Sequence, residues 1–181
     1  MASIVISGDT SGAVTLTVPA TAGTRTATFP AATGTVMVSG NIPAFSAYNT
    51  IATSMPNATF VKLQNSAEEF DTANCYDNAT NYRFTPNVAG YYQLNATWAC
   101  ATNVSVMLIA IYKNGALAKA GNQMVNNGAF VQACISTLIY FNGSTDYVEL
   151  YGYQAGGTTV TAYTGSQPAY GYFQGFLARD T

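Results

Sequence analysis

An all-β fold is predicted by three features of this sequence. The first is composition. Apolar residues make up 49% of the 181 positions, while charge is confined to six basic and eight acidic side chains. Thr, Asn, Ser, Gly and Tyr take the place of charge. Thr and Tyr fit a pleated, half-buried surface, and Gly and Asn fit turns. The second is spacing: short apolar or alternating runs recur between turn signals such as Lys113-Asn114-Gly115 and Asn142-Gly143. The third is that no segment carries apolar residues at helical spacing. Such a chain buries a sizeable core in a sandwich or barrel.

Residues 1–40 read as a separate arm, and residues 41–181 as the main domain. The arm holds an 11-residue repeat. Gly12 opens Ala13 to Val18, Gly23 opens Thr24 to Phe29, and Gly34 opens Thr35 to Ser39. Pro19 and Pro30 close the first two units, because proline removes a ladder donor and stops a strand. Alternation places Val14, Leu16, Val18, Phe29, Val36 and Val38 on one face and mostly Thr on the other. Three short strands alone bury little and expose long edges. The arm is therefore expected to pair with copies of itself or to dock on a partner.

Beyond Pro43 the expected strands are Thr59–Leu63, Arg83–Thr85, Tyr91–Trp98, Val104–Tyr112, Ala129–Phe141, Tyr147–Tyr153 and Tyr172–Ala178. In Val104–Tyr112 both faces are apolar: Val104, Val106, Leu108 and Ala110 on one, Met107, Ile109 and Ile111 on the other. A sandwich covers one face. The second is expected to meet a subunit, the arm or a loop.

Several chemistries are excluded or weakened. There is no histidine, which removes His-based triads and His-ligated metals. Cys75, Cys100 and Cys134 contain no Cys-x-x-Cys pair and are expected to be free buried thiols. The formal net charge is −2 with no Lys/Arg cluster, so nucleic acid is not an expected partner. No apolar run reaches the roughly 18 residues of a bilayer span, and the first residues lack the cationic start of a secretory signal. Assembly in a reducing cytoplasm is expected. Glu68, Glu69, Asp71 and Asp77 form an acidic stretch. It reads as a solvated loop, with a calcium site or a glycosidase carboxylate pair as alternatives. Tyr151, Tyr153, Tyr163, Tyr170 and Tyr172 surround a late Gly/Thr-rich loop, and Tyr163 and Tyr170 are candidates for ligand contact.

Residues 43–178 resemble the globular jelly-roll domain of the complement-one-q and tumour-necrosis-factor superfamily. The resemblance rests on a set of short segments in order. They are Ala44-Phe45-Ser46-Ala47, Tyr76-Asp77, Phe84-Thr85, Gly90-Tyr91-Tyr92, Lys113-Asn114-Gly115, Val148-Glu149-Leu150 and Phe173-Gln174-Gly175-Phe176-Leu177. One departure is Asn81, which stands where the family has glycine, with Tyr82 inserted after it. Asparagine is expected to supply the left-handed backbone there. The resemblance implies a ten-stranded jelly-roll sandwich, two five-stranded sheets, trimerised on a threefold axis. It implies Tyr92, Phe130, Phe173 and Phe176 in the core or on that axis. It implies neither catalysis nor a cofactor. Residues 1–40 lack a Gly-X-Y period and resemble N-terminal segments of fibre and decoration proteins of tailed bacteriophages. The combined expectation is a homotrimeric, non-enzymatic knob on the virion surface. It is attached through residues 1–40 to capsid or tail proteins and adheres to a host-surface glycan. A tail-fibre tip and a free-standing bacterial lectin-like module are the alternatives.

Overall fold

The computed structural model describes residues 3–7, 11–17, 21, 23–24, 26, 42–100, 102, 104–125, 131–163 and 170–180. The chain divides into two compact units, Met1–Val36 and Met37–Thr181.

In the first unit β1 (Ser3–Ser7) pairs antiparallel with β2 (Ala13–Thr17). Gly12 enters β2 with φ +80°, a backbone that favours glycine. The register sets Ile4 opposite Leu16 and Ile6 opposite Val14, so four apolar side chains share one face. β1 was not among the expected strands, although Ile4-Val5-Ile6 is a β-branched run. It lies outside the 11-residue repeat that marks the others. Val18, Phe29, Val36 and Val38 lie outside the described residues, as do most of the second and third repeat strands.

The second unit contains β3 (Ala44–Tyr48), β4 (Ser54–Met55), β5 (Thr59–Lys62), β6 (Ala67–Asp71), β7 (Tyr76–Asp77), β8 (Arg83–Phe84), β9 (Ala89–Cys100), β10 (Val106–Lys113), β11 (Ala116–Val125), β12 (Val131–Asn142), β13 (Val148–Gln154), β14 (Val160–Thr161) and β15 (Gly171–Asp180). One sheet runs β12-β9-β15-β3-β6. The other runs β11-β10-β13-β8-β7, with β5 also on β13. β8 takes Val148 and Glu149 of β13, and β5 takes Tyr151 to Gln154. β5 and β8 thus share one position, and this sheet too is five positions wide. All these pairings are antiparallel. Two such sheets face to face make the jelly-roll sandwich that the sequence led us to expect. β4 and β14 form a small separate ribbon.

The Asn-Gly hairpin forms as the sequence indicates: Asn114 and Gly115 have φ of 52° and 80°, which lets β10 turn directly into β11. The loop before β13 clamps this corner. Lys113 Nζ lies 2.8 Å from Asp146 Oδ2, and Asn114 Nδ2 donates to Asp146 Oδ1 at 2.8 Å. β11 was not among the expected strands: half of its apolar side chains are alanines, they follow no alternating period, and nearly all of its residues are exposed. The turn alone demanded it.

The core lies between the sheets. Trp98, Tyr92, Phe45, Phe84, Phe141 and Phe173 are its largest fully buried side chains. Phe45 stacks on Tyr76 at 4.9 Å and on Phe84 at 4.3 Å, and meets Phe173 edge-on at 5.0 Å. Burial pushes the Tyr76 phenol well above its ordinary range, and its hydroxyl donates to the Asn65 carbonyl. Gly90 enters β9 at φ +154°, where a Cβ would run into the Arg179 carbonyl and the Leu177 side chain.

The two faces of β10 are covered within the chain to different extents. Met107, Ile109 and Ile111 enter the core, and so does Val104, which precedes β10. On the other face of β10, Val106, Leu108 and Tyr112 are half-buried and Ala110 is fully buried. The cover comes from aromatic neighbours on the same sheet, with Tyr112 stacked on Tyr151 at 4.0 Å. Val106, Leu108 and Tyr112 stay half-exposed in the single chain, which leaves open the place of the expected subunit, arm or loop over this face. Aromatic side chains are long enough to lie across an alanine on the next strand.

The thiols also divide. Cys75 and Cys100 are buried, but Cys134 is exposed, because it points outward from β12 between inward Ala133 and Ile135. Burial raises Cys100 to about 11, and its sulfur lies 3.7 Å from Met107 Sδ. Replacing Cys100 by serine is expected to cost about 1–3 kcal/mol in urea denaturation, through a buried hydroxyl beside a thioether. Cys134→Ser is expected to stay within about 0.5 kcal/mol of the parent. Equal losses at the two positions would contradict this placement.

Candidate functional site

The outward face of the β12-β9-β15-β3-β6 sheet is the principal surface. Strand alternation sends Tyr91, Gln93, Asn95 and Thr97 outward from β9, opposite Tyr140, Leu138, Ser136 and Cys134 of β12. On its other side β9 meets Phe176, Gln174 and Tyr172 of β15. None of these side chains is charged. Five large apolar side chains on this sheet stand in solvent: Phe70 49%, Tyr91 46%, Leu138 51%, Tyr140 41% and Phe176 47% exposed. Tyr91 and Tyr140 touch, with ring centroids 5.4 Å apart. A polar strip follows, in which Gln93 Nε2 donates to Asn95 Oδ1 at 3.1 Å and Ser136 Oγ at 3.0 Å. Charge enters at the margins, with exposed Arg179 of β15 paired with Tyr91 and Glu69 of β6 bonded to Ser46, and the centre of the face has the aromatic and amide composition of an interface core.

The four aromatics singled out in the sequence separate by face. Tyr92 and Phe173 are fully buried between the sheets, where Tyr92 Oη donates to the Val88 carbonyl at 2.8 Å. Phe176 is on the outward face, and Phe130 lies outside the described residues. Tyr91, one residue before Tyr92, is the outward aromatic that the sequence reading passed over. In the Gly-Tyr-Tyr segment one tyrosine must face each way, and only the sheet register says which.

The acidic stretch is spread over two strands and their turns. Asp71 accepts the N–H of Ala73 at 3.2 Å and of Tyr76 at 2.7 Å. Glu69 accepts the Ser46 hydroxyl at 2.7 Å. Burial, and then the charge of Asp71, raise Glu68. Asp77 accepts the N–H groups of Ala79, Thr80 and Asn81 and the Asn81 amide. Those bonds, led by Thr80, hold it down to about 2. These contacts knit loops together. Among the described residues no three His, Cys, Asp or Glu side chains gather to hold a metal. The left-handed turn beside Asp77 falls on Tyr82 (φ 50°), not on Asn81 as expected. Asn81 is occupied in capping Asp77, which leaves the next residue to reverse the chain.

Tyr163 and Tyr170 meet edge-on at 5.0 Å. Tyr163 is held through its backbone: its N–H donates to Ala99 and its carbonyl accepts Asn49 Nδ2 at 2.6 Å. Residues 164–169, between the two tyrosines, lie outside the described residues. In the arm, Ile4, Ile6, Val14 and Leu16 are each 51–65% exposed. This hairpin is the second uncovered apolar surface.

A sandwich of this topology has the jelly-roll fold. Solved structures agree. The globular domain of zebrafish complement 1qA protein aligns with a TM-score of 0.56 at 15% identity, over 77% of this chain and 99% of that one. The Eiger TNF of S. frugiperda aligns at 0.60 and 6%, over 78% and 95%. Murine APRIL aligns at 0.59 and 8%, over 75% and 98%. At such identities the likeness is one of fold. No family model matches the sequence, and no curated protein matches it.

Proposed function

We propose that this protein is a non-enzymatic homotrimer that forms a surface knob on a tailed-phage virion. The jelly roll assembles the trimer, and the arm anchors it to capsid or tail proteins. The observation that carries the reading is the aromatic outward face of the β12-β9-β15-β3-β6 sheet, charged only at its margins by Arg179 and Glu69. A monomer gains nothing by keeping five large apolar side chains on one sheet in water. Closed threefold symmetry covers the same face on every copy at once. The resemblance implies an axis lined by aromatic residues, and Phe176, one of its candidates, stands on this face.

The arm supports the anchoring role. A two-stranded hairpin cannot bury its own apolar face. Covering the exposed parts of Ile4, Ile6, Val14 and Leu16 contributes on the order of 1 kcal/mol per side chain, so three arms reach on the order of 10 kcal/mol before ordering costs. Three linked arms also bind with avidity. The virion setting rests on the resemblance of residues 1–40 to phage fibre and decoration segments, and adhesion to a host-surface glycan would be the knob's outward role.

Deleting residues 1–40 tests the anchor. The shortened chain is expected to fold and trimerise but to be lost from particles by at least about tenfold, measured by quantitative immunoblotting of purified virions. Normal incorporation would show that the arm is not the anchor. Imaging of intact particles would place the knob on head or tail.

A further inference from the structure

The outward face of the other sheet, apart from the proposed trimer face, carries an ordered array. Register aligns it in cross-strand rows. Tyr112, Glu149 and Arg83 lie abreast on β10, β13 and β8. Tyr151 is the Cα partner of Lys62, and Tyr153 of Phe60, on β13 and β5. The aromatic rings touch in a chain: Tyr112 to Tyr151 at 4.0 Å, Phe60 to Tyr112 at 5.9 Å and Phe60 to Tyr153 at 5.1 Å. All four are half-exposed.

Glu149 is sunk among them, 7% exposed. Its Oε1 accepts Lys62 Nζ at 2.8 Å, and the same ammonium donates to the Asn81 carbonyl at 3.1 Å. The pair is half-buried, with Lys62 reaching solvent, and a partly desolvated ion pair is a modest source of stability. A leucine and a methionine would hold these strands as well. The pair makes more sense as a fixed set of acceptors and donors at the foot of an aromatic surface. Arg83 completes it, 4.5 Å above the Tyr147 ring and between Glu149 and Asp77 in the cross-strand row. Two cations and two carboxylates leave this face without net charge.

We infer that this face binds a neutral saccharide. The apolar C–H face of a pyranose ring rests on Tyr151 and its neighbouring rings, which offer rigid area with little entropy to lose. Ring hydroxyls donate to Glu149 and accept from Lys62, whose geometry is already set by each other and by Asn81. The absence of net charge selects a neutral sugar over an acidic one. The inference deepens the adhesive part of the proposed function and rests on it. It moves the contact from Tyr163 and Tyr170, which are tied to the opposite sheet through Ala99, to the β10-β13-β5 face.

The test is saturation-transfer NMR on the full-length protein. The probes are methyl glycosides of glucose, galactose, mannose, rhamnose and N-acetylglucosamine, with glucuronic and N-acetylneuraminic acids as the charged set. At least one neutral glycoside is expected to receive saturation. Its Kd is expected to weaken about tenfold, the equivalent of 1.4 kcal/mol, in Tyr151→Ala. Glu149→Gln should also weaken it, and Tyr170→Ala should leave it unchanged. If Tyr151→Ala does not fold, Tyr151→Leu keeps the apolar volume and should show the same loss. No transfer to any neutral sugar overturns the inference and removes the glycan from the adhesive reading, while leaving the trimer and its anchor untouched. Transfer to the acidic sugars alone overturns it too. Binding that survives at position 151 but disappears in Tyr170→Ala overturns the site and keeps glycan adhesion.

Discussion

Phe45→Ala is expected to destabilise the jelly-roll unit by about 3–5 kcal/mol, the range for an aromatic side chain removed from a packed core. Phe45 is 1% exposed and lies at the centre of the aromatic cluster. It is stacked between Tyr76 and Phe84 and buttressed by Phe173. Phe45 and Phe173 belong to one sheet, Tyr76 and Phe84 to the other. Truncation therefore opens a void between the sheets, where neighbours from both would have to move together to close it. Ring-ring contacts add to the loss beyond buried area. The measurement is the urea midpoint at constant slope, with Phe45→Leu as the milder comparison. A loss under about 1 kcal/mol for Phe45→Ala would mean that the sheets are not held together at this point.

Phe176→Glu is expected to convert the assembly from trimer to monomer. Light scattering should read about 57 kDa for the parent, three times the 19.0 kDa of one chain, and 19.0 kDa for the variant. Phe176 is 47% exposed on a face with no charge among its neighbours on β9. In a threefold arrangement the substitution brings three carboxylates together at an apolar surface, where mutual repulsion and lost water outweigh pairing with the exposed Arg179 at its margin. An uncompensated charge that must lose its water is costly enough to separate subunits. In the single chain the same side chain already meets solvent, so folding should survive. Leu117→Glu, on the exposed edge strand β11, is the control and should leave the trimer intact. A parent that is monomeric at micromolar concentration would overturn the trimer, and a Phe176→Glu trimer would move its interface elsewhere.

The aromatic side chains show where sequence reading stopped. Phe84 and Phe173 could be assigned to strands from their spacing and turn signals, and Phe45 from the resemblance. The pair Tyr91-Tyr92 could not be oriented, since a strand sends successive residues to opposite faces whichever face is the core. The part of the second face of Val104–Tyr112 that is covered, Ala110 beside Tyr151, could not be read from sequence because Tyr151 lies on a distant strand. Asn81 and Tyr82 exchanged roles for a similar reason: the demand of Asp77 for an amide partner is invisible in the one-dimensional order of turn residues.

Composition and period by themselves determined that this chain is all-β, where its main strands and its Asn-Gly hairpin lie, and that its first residues form alternating strands apart from the main domain. Those features follow from local backbone preference and from the period of two that any strand obeys. Tertiary structure alone decided that β5 and β8 share one place beside β13, that Cys134 faces out while Cys75 and Cys100 face in, and that Glu149 meets Lys62 under a row of tyrosines. Each depends on register between strands distant in sequence. Register is set by how the whole core packs, and no short stretch of residues contains that information.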